Sequence, residues 1–147
     1  MKQNISASGI IVFRNKNNYP EILGLVALPK HRKRSKGKYD VPKGRIDEGE
    51  TPIQAARREC YEESGLEPKI ININNPVING PLCLWIGEVS PDDDVVLAAN
   101  PYTGEHEHEG YEWLTIKKMK SKCLNYIRPF ITEAEKDIWE HIKIWRK

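Results

Sequence analysis

Three glutamates, Glu59, Glu62 and Glu63, stand at i, i+3 and i+4 within the stretch GRIDEGETPIQAARRECYEESGL that opens at Gly44. On a helix this spacing gathers all three on one side, and like charges so placed destabilise a helix by about 0.2–0.5 kcal/mol per pair. They also fall near the C-terminal end, where the macrodipole is already negative. A bound hard cation reverses both penalties, because Mg²⁺ takes carboxylate oxygens together with waters and substrate phosphates. The spacing therefore points to a magnesium site carried on a helix.

The helix that must position these acids is well specified. Thr51 is a suitable N-cap, Gln54 completes a capping box, and Pro52 occupies the first helical position, where its missing N–H is no loss. Ile53, Ala56 and Cys60 recur at i, i+3 and i+7 and give a buried stripe beside the acidic one. Gly65 ends the run as a left-handed cap. The carboxylates are thus expected on a rigid element, with Gly44 and its loop packed close by.

Gly44, Glu50 and the run Arg58-Glu59-Cys60-Tyr61-Glu62-Glu63-Ser64-Gly65-Leu66 resemble, at every defined position, the signature box of the Nudix hydrolase superfamily (MutT-like), with Cys60 in the small apolar slot. Ser8-Gly9-Ile10-Ile11-Val12-Phe13 and the segment from His106 to Leu114 resemble the first strand and a late loop-strand segment of such domains. The resemblance implies an α+β chain with the Nudix fold, an α-β-α sandwich around a mixed β-sheet. It implies Glu59, Glu62 and Glu63 as catalytic metal ligands for Mg²⁺, with Mn²⁺ as a substitute, and the Gly44 carbonyl as a further metal ligand. Glu50 and Arg58 are implied as structural support, an ion pair bracing the loop against the helix. Metal ions that neutralise phosphate oxygens and lower the pKa of bound water address the main barrier to cleaving a pyrophosphate.

Outside the box, Lys43 offers a point charge to a substrate phosphate, and Lys38 and Tyr39 complete a candidate substrate-binding approach. The His106 to Leu114 segment is similar to one in asymmetrical dinucleoside tetraphosphate hydrolases, where an acid before a Tyr-x-Trp strand reaches the metal site. Carried onto this chain that acid is Glu107, a candidate catalytic base or extra ligand, with Glu105 and Glu109 as neighbouring competitors. His106 and His108 alone make a weak transition-metal pattern. Segment 30–38 concentrates six Lys or Arg residues in a chain of net charge only +2, a patch suited to a polyphosphate or an RNA 5′ end. Tyr102, Tyr111 and Trp85 join Tyr39 as candidate adenine-stacking residues, with Trp85 and Trp113 equally readable as core.

The expected activity is Mg²⁺-dependent cleavage of nucleoside diphosphate-linked substrates, dinucleoside polyphosphates of the diadenosine tetraphosphate type first. The run from Tyr39 to Arg45 is also similar to Nudix enzymes acting on ADP-ribose or NAD-like compounds and to RNA decapping enzymes. A reading of another class, a non-catalytic RNA- or nucleotide-binding Nudix module, would be marked by loss of the box acids, and every one is present.

Length and composition fit one soluble domain over 1–147, with 39% hydrophobic and 30% charged residues. No apolar run approaches the roughly 18 residues of a membrane span, and no signal-peptide core follows Met1, so a cytoplasmic protein is expected. Its three cysteines lack metal-ligand spacing and are expected as reduced thiols. Strands are expected at 8–13, 21–28, 69–74, 82–89 and 111–115, with short pieces at 39–41 and 95–97. Segment 30–38 reads as a loop, 116–126 as a helical turn or two, and 132 onward as an amphipathic helix with Ile138, Trp139, Ile142 and Trp145.

Overall fold

The computed structural model describes residues 4–99 and 103–146, apart from the side chains of 34, 35 and 144–146. Tyr102 and the Trp145 side chain, both singled out above, lie outside the described residues. The elements are β1 (Ala7–Lys16), β2 (Tyr19–Ala27), α1 (Pro29–Ser35), β3 (Tyr39–Asp40), β4 (Lys43–Arg45), α2 (Pro52–Ser64), β5 (Lys69–Ile70), β6 (Val77–Asn79), β7 (Leu82–Val89), β8 (His108–Thr115), α3 (Ile116–Lys122) and α4 (Arg128–Arg146).

β1 is the spine of the sheet. It pairs antiparallel with β2 and β4 and parallel with β7, and the central order is β3-β2-β1-β7-β5. β8 adds antiparallel to β2, and β6 antiparallel to β7. The sheet is therefore mixed. Successive side chains of a strand point to opposite faces, and β1 uses both. Ile11 and Phe13 enter a core with Met119, Phe130 and Ile138 of α3 and α4, whereas Ile10 and Val12 enter a second core with Ala56 and Cys60 of α2. A strand covered on both faces reads as a continuous apolar run, which is why Ile10-Ile11-Val12-Phe13 does not alternate. The result is helices on both sides of a mixed sheet, the expected α+β layering.

Several local readings change. Segment 30–38 is not simply a loop, because Pro29 at the first turn starts the short helix α1. The strand expected over 69–74 is only Lys69–Ile70, and the Asn72 side chain instead accepts the Ile86 N–H at 2.8 Å. Segment 95–97 is not a strand: the Val96 N–H donates to the Ser64 carbonyl at 2.8 Å, docking the loop on the end of α2. The last helix begins at Arg128, earlier than 132. Among the described residues no helix is long and apolar enough to cross a membrane.

Candidate active site

Helix α2 carries the acids as its caps dictate. Thr51 accepts from the Gln54 N–H while Gln54 returns a bond to the Thr51 N–H, and Gly65 closes the helix in the left-handed conformation at φ 73°. The buried stripe of Ala56 and Cys60 fixes the helix against the sheet, so the acidic stripe faces β4. There Gly44 lets the Glu59 carboxylate lie against the strand: a Cβ at this position would fall 2.2 Å from the Glu59 carboxyl carbon and force that side chain to move. Glu59, Glu62 and Glu63, with Gly44, Lys43, Arg58 and Glu107, line a cavity of about 330 Å³.

Arg58 organises one end of this cavity. Its Nε and one terminal nitrogen donate to the two oxygens of Glu50 at 2.8 and 2.9 Å, and it also donates to the Arg45 carbonyl at 3.0 Å. The other terminal nitrogen reaches Glu59 at 3.0 Å and Glu62 at 3.3 Å. Such two-pronged charge-assisted bonding fixes geometry as well as adding energy. Hydrogen bonding from Arg58 holds the Glu50 carboxyl down at about 2, and Glu50 in turn leads the effects that keep the guanidinium charged.

At the other end lies a buried network absent from the sequence reading. Asp40 accepts the Val41 N–H at 2.8 Å and the Lys43 ammonium at 3.0 Å. Glu63 accepts the Lys43 backbone N–H at 3.2 Å. The His108 ring stands between the two acids, its nitrogens 3.7 Å from Asp40 and 3.6 Å from Glu63. Burial works against the Lys43 ammonium, but Asp40 and then Tyr126 outweigh it and keep its pKa above that of an ordinary lysine. Burial likewise opposes the Asp40 charge, and Lys43 with His108 brings its pKa below the usual value.

The acids on α2 are under the opposite pressure. Burial first, and Asp40 next, push Glu63 well above the ordinary carboxylate range. Burial also raises Glu59, against hydrogen bonds involving Glu63 and Arg58. Local positive charge is therefore insufficient for the acids present. Among the described residues no three His, Cys, Asp or Glu side chains are arranged to hold a metal ion, and Arg58 is hydrogen-bonded to both Glu59 and Glu62. In chemical kind the donor set nevertheless fits a hard cation, which takes carboxylate oxygens such as those of Glu59, Glu62 and Glu63 together with backbone oxygen.

The other expected residues are distributed unevenly. Glu107 lines both this cavity and an adjoining one of about 410 Å³, which Lys43, Glu63, His106 and His108 also border and which Lys30, His31 and Tyr126 close. Glu105 lines only the second. Glu109 is drawn away toward Arg32 at 3.6 Å. Tyr39 is not at the cleft: it is 3% exposed and its hydroxyl donates to Glu112 at 2.6 Å, burial and Glu112 raising its pKa to about 12. Lys38 lies over the Tyr39 ring at 5.3 Å and lines neither cavity. Trp85 is core, its indole N–H on the Ile73 carbonyl, and Arg14 stacks on Trp113 at 4.4 Å. Tyr111 is 42% exposed on β8, outside both cavities. Asp40 is the residue that sequence reasoning missed, and His108, read only as half of a weak transition-metal pattern, stands instead between Asp40 and Glu63. The spacing Asp40-x-x-Lys43 was the available signal for the first, and the start of β8 at His108 would have been needed for the second.

A capped helix presenting three acids to a glycine strand end, beside a mixed sheet with helices on both faces, gives an α+β protein with an acidic cleft. The NUDIX domain model matches residues 3–133, and the chain belongs to that family. It is 29% identical over 110 residues to an RNA pyrophosphohydrolase of Rhizobium meliloti, covering 61% of this chain and 66% of that one. It is 26% identical over 124 residues to the asymmetrical bis(5′-nucleosyl)-tetraphosphatase of Caenorhabditis elegans, covering 77% and 80%. The chain spans 34% of the length of one further curated relative it matches and 65% of another. In fold it is similar to the C. elegans Ap4A hydrolase in a binary complex, with TM-score 0.71, 22% identity and coverage of 91% and 97%.

Proposed function

We propose that the chain is a Mg²⁺-dependent pyrophosphohydrolase acting on nucleoside diphosphate-linked substrates, dinucleoside polyphosphates first. The observation that carries this reading is the convergence of Glu59, Glu62, Glu63 and Gly44 on one cavity that opens into a second, cation-bordered one at Lys43. A chamber lined by the α2 acids that shares Lys43 with a second one bordered by Lys30 fits a phosphate chain longer than a triphosphate's reacting end. Glu59, Glu62, Glu63 and the Gly44 backbone would hold the metal. Bound there, it supplies neutralisation of phosphate oxygens and acidification of the attacking water.

The chain's own residues do the rest. Arg58 orients Glu59 and Glu62, and Glu50 anchors Arg58. The Lys43 ammonium, held by Asp40, offers positive charge at the junction of the two cavities. Glu107 accepts the proton of the attacking water. We also read the chain as one domain working in the cytoplasm. The thiols of Cys60, Cys83 and Cys123 are all buried and unpaired, in keeping with a reducing compartment.

A second reading, removal of pyrophosphate from an RNA 5′ end, is favoured by the relatives named RNA pyrophosphohydrolase. The test is a substrate panel of dinucleoside polyphosphates, ADP-ribose, NAD, capped and triphosphorylated RNA and dNTPs with Mg²⁺ or Mn²⁺, with product analysis and Glu62→Gln as the blank. Turnover of dinucleoside polyphosphates that vanishes in the blank is expected. Hydrolysis of nucleoside triphosphates alone would contradict the reading, and RNA binding without turnover across the panel would favour a non-catalytic module.

A further inference from the structure

Four residues from four elements border the second cavity and close a ring: Asp40 of β3, Lys43 of β4, Glu63 of α2 and His108 of β8. Asp40 and Glu63 are the two buried carboxylates among the described residues. One Asp40 oxygen accepts the Val41 N–H at 2.8 Å, and the other accepts from the Lys43 ammonium at 3.0 Å. One Glu63 oxygen accepts the Lys43 backbone N–H at 3.2 Å. The His108 ring stands between the two acids, 3.7 Å from Asp40 and 3.6 Å from Glu63. Lys43 therefore meets Glu63 with its backbone and Asp40 with its charge.

The backbone leaves this choice to one side chain. The Pro42 carbonyl accepts the Ile10 N–H at 3.0 Å, and Lys43 pairs with Gly9 of β1 so closely that a Cβ on Gly9 would fall 2.5 Å from the Lys43 Cβ. With the main chain pinned, only the flexible four-carbon stem decides where the ammonium goes. A stem rising from a residue whose own N–H lies on Glu63 can bring its ammonium onto that carboxylate. Asp40 takes it instead, and the Tyr126 ring stands 5.3 Å from it. Among the described residues no lysine or arginine pairs with Glu63, whereas Arg58 takes both Glu59 and Glu62. A buried ion pair is weak evidence for stability, because desolvation offsets its attraction, so the pairing of Asp40 with Lys43 calls for a reason beyond holding the fold.

We propose that Asp40 is a positioning residue that keeps the Lys43 ammonium off Glu63 and so leaves that carboxylate open to a divalent cation. The proposal rests on the reading of the α2 acids as the metal site. Without the Asp40 charge the ammonium moves to Glu63, and a metal must then displace it. The apparent affinity of a cation falls in proportion to the fraction of molecules whose site is open. A merely structural Asp40, securing the turn between β3 and β4, would act the same whether or not Lys43 is present. So would a through-space effect of its charge on the metal.

The test is Mn²⁺ binding to the full chain without substrate, followed by electron paramagnetic resonance, so that turnover plays no part. Asp40→Asn, whose carboxamide still accepts the Val41 N–H, should bind Mn²⁺ about tenfold more weakly than wild type, the lower end of what a residue behind metal ligands commands. Lys43→Met should bind within about twofold of wild type, and Asp40→Asn/Lys43→Met should match it, because the Asp40 change matters only while the ammonium is there to move. Thermal melts check the folding of all four proteins. The double variant removes both halves of the buried pair and leaves no unpaired charge, so its comparison with Lys43→Met decides the question even where Asp40→Asn does not fold. Wild-type affinity in a folded Asp40→Asn protein, or a loss from Asp40→Asn that persists in the Lys43→Met background, would overturn the proposal. So would weaker binding by Lys43→Met alone, which would make the ammonium a support of the metal site. Wild-type protein that binds no Mn²⁺ would remove the reading of the α2 acids as a metal site, and this proposal with it.

Discussion

The two ends of the cleft are built in opposite ways. The acidic end is a single run of chain, 44–66, in which a capped helix, its buried stripe and a glycine strand end fix three carboxylates. The other end is assembled from α1, β3, the loop before β8 and the segment between α3 and α4, residues drawn from across the sequence. On the proposed function, the contrast puts the chemistry on one local motif and the choice of substrate on a tertiary arrangement. It also explains the charge pattern. Glu63 is strained by burial and by Asp40, while Asp40 and Lys43 satisfy one another a few ångströms away.

This division can be tested by breaking each end in turn. The largest effect is expected at the acidic end, where Glu63→Gln or Glu59→Gln should reduce kcat by about 10²–10³-fold, the scale of losing one transition-state electrostatic group, in steady-state assays with saturating Mg²⁺. Gly44→Ala should follow, because the added methyl displaces Glu59. A displacement of about 1 Å costs about 10²-fold, and Mn²⁺ affinity should fall in parallel in a titration followed by electron paramagnetic resonance. Arg58→Ala should reduce metal affinity or activity by about 10–100-fold, as expected for a residue that orients ligands.

A smaller effect concerns acid stability. Glu50 has its folded pKa depressed to about 2 from 4.5 by Arg58, so its brace contributes fully above pH 4.5 and is lost as pH falls through 2. Thermal melts between those limits should show that loss in the wild type and lack it in Glu50→Gln. The smallest effect is Thr51→Ala, which removes the cap and should cost about 1 kcal/mol in denaturant unfolding.

Legibility in the sequence follows the same division. The helix, its caps and the acid stripe were readable because every determinant lies within one or two helical turns. The double-faced spine at 8–13 was readable from its unbroken apolar run. Tyr39 was misplaced because a short extended piece at 39–41 does not reveal that its ring is buried, which follows from long-range packing of β3 on β2. The place of His108 depends on β8 packing against distant elements, a long-range fact with no local signature. The short helix at 29–35 was hidden by its charge, since a run of lysines and arginines reads as solvated loop.

The central claim is that the α2 acids act through a bound metal. The most direct measurement is hydrolysis of a dinucleoside polyphosphate by wild-type protein and by Glu63→Gln, with Mg²⁺ and with chelator, alongside thermal melts of both. Turnover by the wild type that requires Mg²⁺, and that is lost in a variant whose melt stays cooperative, is the predicted result. Turnover unaffected by chelator, or a Glu63→Gln protein working at the wild-type rate, would contradict it.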